Sequence, residues 1–339
     1  MRFSHSPSLS LLSLIIGVVA TATSAAFSAG AATRLAPAQG ATPSEPMEEL
    51  VVEGRHEGPR MWTVRSGDHT LWILGTISPL PKKLIWQPDA VDEVLRQTQE
   101  VVPAWPAYGI GANPITALRV YIAWRHLQKP PDNLPLRESL PPPLYARVEA
   151  LRMRYAPHDT KIEQLRPMLA ARELLTKVFD AAGLAVRNEV QQEVLSLAAR
   201  RGVRVHQDKL RIDDPVDVLK DVGATPPAGE VACLDAVVTL LETDLANMKA
   251  RARAWALGDV EALRQLPHAD DRTACIAAVS TSERVRKLIA RAQDDWLIAV
   301  TDSLGRNRGT LAVQSMDRLL GDHGTLATLR ARGYSVEGP

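Results

Sequence analysis

Hydrophobic positions first alternate, then run in helical spacing, then alternate again near the end. Met61 to Val64 and Thr70 to Gly75 are two short apolar runs split by Ser66-Gly67-Asp68-His69. A polar, glycine-containing break between Trp/Val/Leu/Ile-rich segments predicts a β-hairpin. The second run ends at Gly75-Thr76-Ile77-Ser78, and Pro79 and Pro81 are expected to stop the strand. Asp89 to Thr98 places Val91, Val94 and Leu95 on one helical face, and Glu100-Val101-Val102 reads as a short strand cut by Pro103. This opening is a strand–helix–strand unit of the kind found in α/β layers.

Helical spacing dominates the middle. The pattern predicts helices over 115–127, 140–155, 161–182 and 189–201, with 129–143 a proline-rich surface connection. A short strand follows at Val203–Val205. Residues 215–257 read as two helices broken around Gly223–Gly229, and Gly258 then Asp259 as the end of one helix and the N-cap of the next. Ser282 to Leu304 is a long amphipathic helix. Leu311–Val313 and Tyr334–Val336 are strand candidates flanking a helix over 324–332. Strands at both ends and helices between predict an α/β fold. Its mixed sheet is built from N- and C-terminal strands, with a large, mostly helical middle region.

Composition narrows the class. The chain has 339 residues, 45% hydrophobic and 23% charged, which is a globular balance. Forty Lys and Arg against 39 Asp and Glu leave no global field for nucleic acid, and aromatics at 4% offer few stacking platforms. The first 31 residues read as a signal peptide: Arg2, an apolar core over Leu9–Ala22, no acidic residue before Glu45, and small-x-small sites at Ala20-Thr21-Ala22 and Ala29-Gly30-Ala31. Residues 32–60 read as a linker, with Met47–Glu53 able to add an edge strand. A periplasmic or secreted protein is expected, with no membrane span after signal cleavage. Such a compartment favours a disulfide between the only two cysteines, Cys233 and Cys275; the alternative is two buried, unreactive thiols.

The strand pair Met61-Trp62-Thr63-Val64 and Thr70-Leu71-Trp72-Ile73-Leu74-Gly75-Thr76 resembles the opening of the TraB/GumN family. So does the closing run Gly321-Asp322-His323-Gly324-Thr325-Leu326, with Leu329-Arg330-Ala331-Arg332-Gly333-Tyr334-Ser335-Val336 after it. Leu165-Arg166-Pro167-Met168-Leu169, Trp255-Ala256-Leu257-Gly258-Asp259 and Trp296 look like landmarks between them. The similarity spans a single domain over 61–337. It implies kinship with the Tiki metalloproteases and a fold shared with erythromycin-esterase and ChaN-like proteins.

In competent relatives, the resemblance implies, histidines of two Gly-x-x-His motifs and an acidic residue after an early strand hold a divalent metal such as manganese or zinc. Neutral imidazoles and a carboxylate would bind the ion and leave a position for an activated water. Here the first motif reads Gly75-Thr76-Ile77-Ser78, with Ser78 in the histidine position. The second falls at Ser315-Met316-Asp317-Arg318, so glycine and histidine are both absent. The acidic position corresponds to Pro103, an Arg-Asn pair before Trp296 corresponds to Ala292-Gln293, and a further Glu falls near Asp208-Lys209. A serine hydroxyl is a poor transition-metal ligand, proline offers none, and arginine repels a cation. No catalytic residue and no metal or other cofactor are therefore expected.

Other chemistry is thinly represented. His56, His69, His126, His158, His206, His268 and His323 show no His-x-x-x-His spacing, Ser78 lacks a nucleophile-elbow frame, and Gly109-Ile110-Gly111 lacks a third glycine. The seven tryptophans read as core in preference to a groove lining. Arg200, Arg201, Arg204, Arg251 and Arg253 read as solvated faces. The resulting expectation is a non-catalytic binding or accessory protein of the bacterial envelope. Its pocket would lie between Ser78, Pro103 and Arg318, the arginine favouring an anionic group, and its partner an unidentified ligand or envelope protein. Two other functions are carried forward: a metal-dependent hydrolase with altered ligands, and an accessory factor in envelope polysaccharide production.

Overall fold

A computed structural model describes residues 58–82, 84–104, 107–110, 113–130, 133–185, 188–207, 209–266, 271–320 and 324–338. The expected signal peptide, most of the linker, the Met47–Glu53 strand, Trp105, Asp208, His268 and Gly321-Asp322-His323 lie outside them.

The hairpin forms where the pattern placed it, as β1 (Met61–Ser66) and β2 (His69–Thr76), paired antiparallel from Met61↔Leu74 to Ser66↔His69. After β2 the chain makes helix α1 (Asp89–Leu95) and strand β4 (Glu100–Val102). The strand near 311 is longer than the apolar core of the pattern suggested. It is β9 (Gly309–Ser315), buried through Gln314. Parallel neighbours on both sides cover it, which is why polar Thr310 and Gln314 are enclosed with the aliphatics. With β7 (Arg204–Val205) and β10 (Ser335–Glu337) the sheet has six strands in the order β10-β1-β2-β9-β4-β7. The pairs β2/β9, β9/β4 and β4/β7 are parallel, and β1/β2 and β1/β10 antiparallel.

Alternation along the strands splits the core in two. Leu74, Val101, Leu311 and Val313 face one side, against α1, helix α6 (Glu189–Arg200) and helix α9 (Leu245–Leu257) with its Trp255. Leu71, Ile73, Val102 and Ala312 face the other, against Trp296, Val300 and Leu304 of helix α12 (Glu283–Arg306) and against Leu326 and Leu329 of helix α14 (Thr325–Ala331). This is the three-layer arrangement expected of a largely parallel sheet.

The helical middle builds its own apolar clusters. Helices α4 (Pro142–Tyr155), α5 (Pro167–Ala181) and α8 (Pro227–Thr243) enclose one. Helix α2 (Pro114–Gln128), helix α7 (Pro215–Gly223) and the start of α12 enclose another. A fully enclosed Arg166–Glu230 ion pair ties the start of α5 to α8, with Arg166 Nε 2.9 Å from both carboxylate oxygens. The Cys233–Cys275 disulfide is formed and links α8 to helix α11 (Asp271–Val279).

Several local expectations are corrected. Beyond the end of β2 there is an added two-residue strand, β3 (Leu80–Pro81), paired with β6 (Leu184–Ala185), where proline needs to supply only a carbonyl. The 129–143 connection contains helix α3 (Leu136–Ser139), and Leu136 and Leu140 are core residues. Strands β5 (Ala107–Ile110) and β8 (Lys209–Ile212) form a separate parallel pair. Residues 215–257 are three helices, not two. The added break falls at Asp244, whose buried carboxylate accepts from Asn247 Nδ2 at 2.8 Å and Arg251 NH1 at 3.1 Å.

Gly258 does end α9 in the left-handed region at φ 74°, where an added Cβ would also meet the Gly58 carbonyl at 2.5 Å. Asp259 caps the following helix α10 (Val260–Gln265) by accepting from the Ala262 amide. Helix α13 (Met316–Leu319) follows β9 directly.

Candidate functional site at the carboxyl edge of the sheet

Parallel strands all point the same way, so their carboxyl ends form one edge, the usual ligand side of an open α/β sheet. The structure places most of the sequence-predicted positions on that edge. Gly75 is inside β2 and Ser78 just beyond it. Pro103 follows β4, Ser315 ends β9, and Arg318 lies on α13. Register sets Thr76 beside Ser315 and Val102 beside Ala312. Ala292 is buried on α12 in the cluster with Val285 and Leu288, and Gln293 faces outward. Ser78 is exposed, and Pro103 and Arg318 are half-buried.

The buried polar groups at the ends of β2 and β9 are neutral, and most are already bonded. The Gly75 carbonyl accepts from the Trp255 indole at 2.7 Å. Thr76 Oγ1 donates to the Gln314 carbonyl at 3.3 Å and accepts from Asn188 Nδ2 at 3.2 Å. The Gln314 amide oxygen accepts from the Ser315 backbone N–H at 2.9 Å. Asn188 caps α6 through the Gln191 N–H, and Gln191 in turn accepts from the Ala104 N–H at 2.8 Å. Ser315 Oγ and Trp296 Nε1 are buried with no hydrogen-bond partner among the described residues.

Packing closes the space as well. A Cβ on Gly75 would collide with Met316 and come within 2.7 Å of Trp62. The void left between Trp62, Gly75, Trp255 and Met316 is only about 10 Å³, less than a ligand needs. A wider, open cleft of about 500 Å³ lies next to it, between Arg60, the turn at Leu257–Asp259 and Arg264. Neither space is lined by Ser78, Pro103 or Arg318.

Residues 60–338 match the sequence model of the TraB/PrgY/gumN family. This chain belongs to that family. The match covers the whole sheet and the helical middle, so the expected relationship and the α/β architecture hold together. No curated protein and no solved structure matches the chain significantly.

Against the donor set implied for competent TraB/PrgY/gumN members, this edge does not fit a divalent cation. Ser78, Pro103 and Arg318, at the positions where the resemblance implies ligands, offer no good donor, and the Gly75 and Thr76 oxygens are engaged by Trp255 and Asn188. Among the described residues no three His, Cys, Asp or Glu side chains come together.

The described histidines are dispersed. His69 Nδ1 lies 2.7 Å from the Leu304 carbonyl, His126 and His158 are exposed, and His206 Nδ1 is 3.2 Å from Glu100 Oε1. Trp62, Trp255 and Trp296 are core; Trp72, Trp86 and Trp124 are partly buried, with Trp86 tilted against Trp255 at 5.8 Å. Of the arginines read as solvated, Arg251 is corrected: it is buried, because Asp244 sits in the core and binds it.

The residue that sequence reasoning missed is Glu100. Its carboxylate is almost wholly enclosed at the amino end of β4. There it accepts from Asn307 Nδ2 at 2.8 Å and lies 3.4 Å from both Arg204 and Arg306. Burial pushes the carboxyl up, but hydrogen bonds from Asn307, Ser303, His206 and Arg204 outweigh it and hold the pKa to about 2. The sequence signal was an acidic residue opening an otherwise apolar strand.

Proposed function

We propose that this TraB/PrgY/gumN member is exported and non-catalytic, and that it works in the cell envelope by binding a ligand or an envelope protein. The observation that carries this reading is the hydrogen-bonded closure of the carboxyl edge. Trp255, Asn188, Gln191 and Gln314 take up the oxygens and amides that a reaction site there would expose. Amide and indole groups bind no divalent ion strongly and do not transfer protons near neutral pH. Ser78, Pro103 and Arg318 lie at this edge, the first exposed and the other two half-buried.

The test is elemental analysis of the purified full chain, coupled to hydrolysis assays on a peptide library with added manganese, zinc or cobalt. The expected result is substoichiometric metal and no turnover above the protein-free rate. One equivalent of metal with metal-dependent peptide cleavage overturns the proposal and restores the hydrolase reading. Export is checked separately by fractionating cells and sequencing the mature N-terminus. Recovery of the protein only from the cytoplasm with Met1 intact overturns that part.

A further inference from the structure

Helix α2 is apolar on two opposite faces. Val120 and Leu127 are buried against α7 and the start of α12. On the opposite side Ile115, Leu118, Tyr121 and Ile122 are 71%, 58%, 54% and 46% exposed. The spacing i, i+3, i+6, i+7 puts these four on one stripe along a helix about 22 Å long. Single exposed apolar residues are ordinary, but four contiguous ones are an interaction surface.

Charge says what covers it. No acidic residue occurs anywhere between Val101 and Pro131, whereas Arg119, Arg125 and Lys129 are all exposed there. Arg119 borders the stripe on one side, and Arg125 continues its line about one turn beyond Ile122. Among the described residues, the acids on α7 and the segment leading into it are held by their own cations: Asp213 by Arg211, Asp217 by Lys220, and Asp214 and Asp221 by Arg284. Arg119 acts on Asp217 only at longer range. A second copy of the same face would bring arginines against arginines. The face is a ridge, and neither cavity described above lies against it. Exposed aliphatic side chains and a tyrosine, with arginines beside and just beyond them and no acid on the helix, fit contact with the surface of an anionic lipid layer.

We propose that the exposed face of α2 is a membrane-docking surface that seats on anionic phospholipid. Among the described residues no single helix is long and apolar enough to cross a membrane, so the contact is peripheral. The proposal does not depend on the absence of catalysis.

The test is co-flotation of the full chain with vesicles of phosphatidylglycerol and phosphatidylethanolamine, against vesicles of phosphatidylcholine alone. Binding to the anionic vesicles is expected, weakened by high salt. Leu118→Glu/Ile122→Glu should weaken it by roughly tenfold or more, and Arg119→Glu/Arg125→Glu similarly. Met153→Glu, at an exposed apolar residue on α4, should leave it unchanged. All these positions are solvent-facing, so circular dichroism should show the wild-type fold. Residues 1–57 are the same in every variant, so a selective loss reports on α2. No binding by the wild-type chain overturns the proposal. So does equal binding by the α2 variants. So does a dimer or a protein complex that these variants dissolve while vesicle binding persists.

Discussion

The two ends of the parallel strands are built from different chemistry. At the carboxyl end, Thr76, Asn188, Gln191, Gln314 and Trp255 form a neutral network with backbone groups, next to a void of about 10 Å³. At the amino end, one buried carboxylate, Glu100, gathers Asn307, His206, Arg204 and Arg306 around the turn from α12 into β9. Open α/β sheets commonly place reactive charge at the carboxyl end. Here the buried charge is at the other end and serves to lock β4, β7 and β9 together. The difference teaches that a perturbed carboxylate marks a function only where a ligand can reach it.

Removing the charged anchor should have the largest effect on this contrast. Glu100→Ala strands the Asn307 amide and leaves His206 without its carboxylate. Arg204 and Arg306 are more than half exposed and can turn to water. A loss of about 3 kcal/mol in urea unfolding is expected. A loss below about 1 kcal/mol would mean the amino end is no more than a surface charge cluster.

The carboxyl end should be broken by volume and not by charge. Gly75→Ala drives a methyl group into Met316 and Trp62, both of which pack under β2. The expected cost is about 2 kcal/mol, the same at pH 7 and pH 4. An unchanged unfolding midpoint would show that this edge has room the structure does not give it.

A smaller effect separates the two ends by pH. Glu100 is depressed from the ordinary carboxylate range to about 2, so its charge stabilises the fold above about pH 4.5. That contribution is lost progressively as pH drops from about 4.5 through about 2, where the folded carboxyl is half protonated. Glu100→Gln keeps an acceptor for Asn307 but has no charge. It should be about 1–2 kcal/mol less stable than wild type at pH 7 and equal to it near pH 2, measured as a difference of urea midpoints. A pH-independent gap would assign the effect to shape alone.

Legibility in the sequence followed the range of the interactions. The hairpin, α1 and the Gly258–Asp259 junction were readable because period and capping are local, and the motif positions came from the resemblance. Most of them fall on one sheet edge because the strands ending near Gly75, Pro103 and Ser315 run parallel. What occupies that edge was not readable: the Trp255–Gly75 bond spans 180 residues and Asn188–Thr76 spans 112. Strands β5 and β8 were missed because each is only four residues long and each depends on the other; the alternation of Lys209-Leu210-Arg211-Ile212 was the one local signal. Asp244 gave no signal as a helix break, because its buried state depends on Arg251 one helix later.

The finest test of the comparison uses a near-isosteric change at the neutral end. Thr76→Val keeps the branched shape but loses the hydroxyl that donates to the Gln314 carbonyl and accepts from Asn188 Nδ2. Asn188 keeps its capping bond to the Gln191 N–H through its other side-chain atom, so α6 still starts in place. Only one buried hydroxyl's bonds are lost, with no charge stranded, so the cost should be about 1 kcal/mol. Because nothing in the Thr76–Asn188–Gln314 network titrates, the same cost is expected at pH 7 and pH 4, whereas the gap between Glu100→Gln and wild type begins to close below about pH 4.5. If Thr76→Val instead became more costly as pH changed, a titrating group would have to reach this edge. The division between a neutral carboxyl end and a charged amino end would then fail.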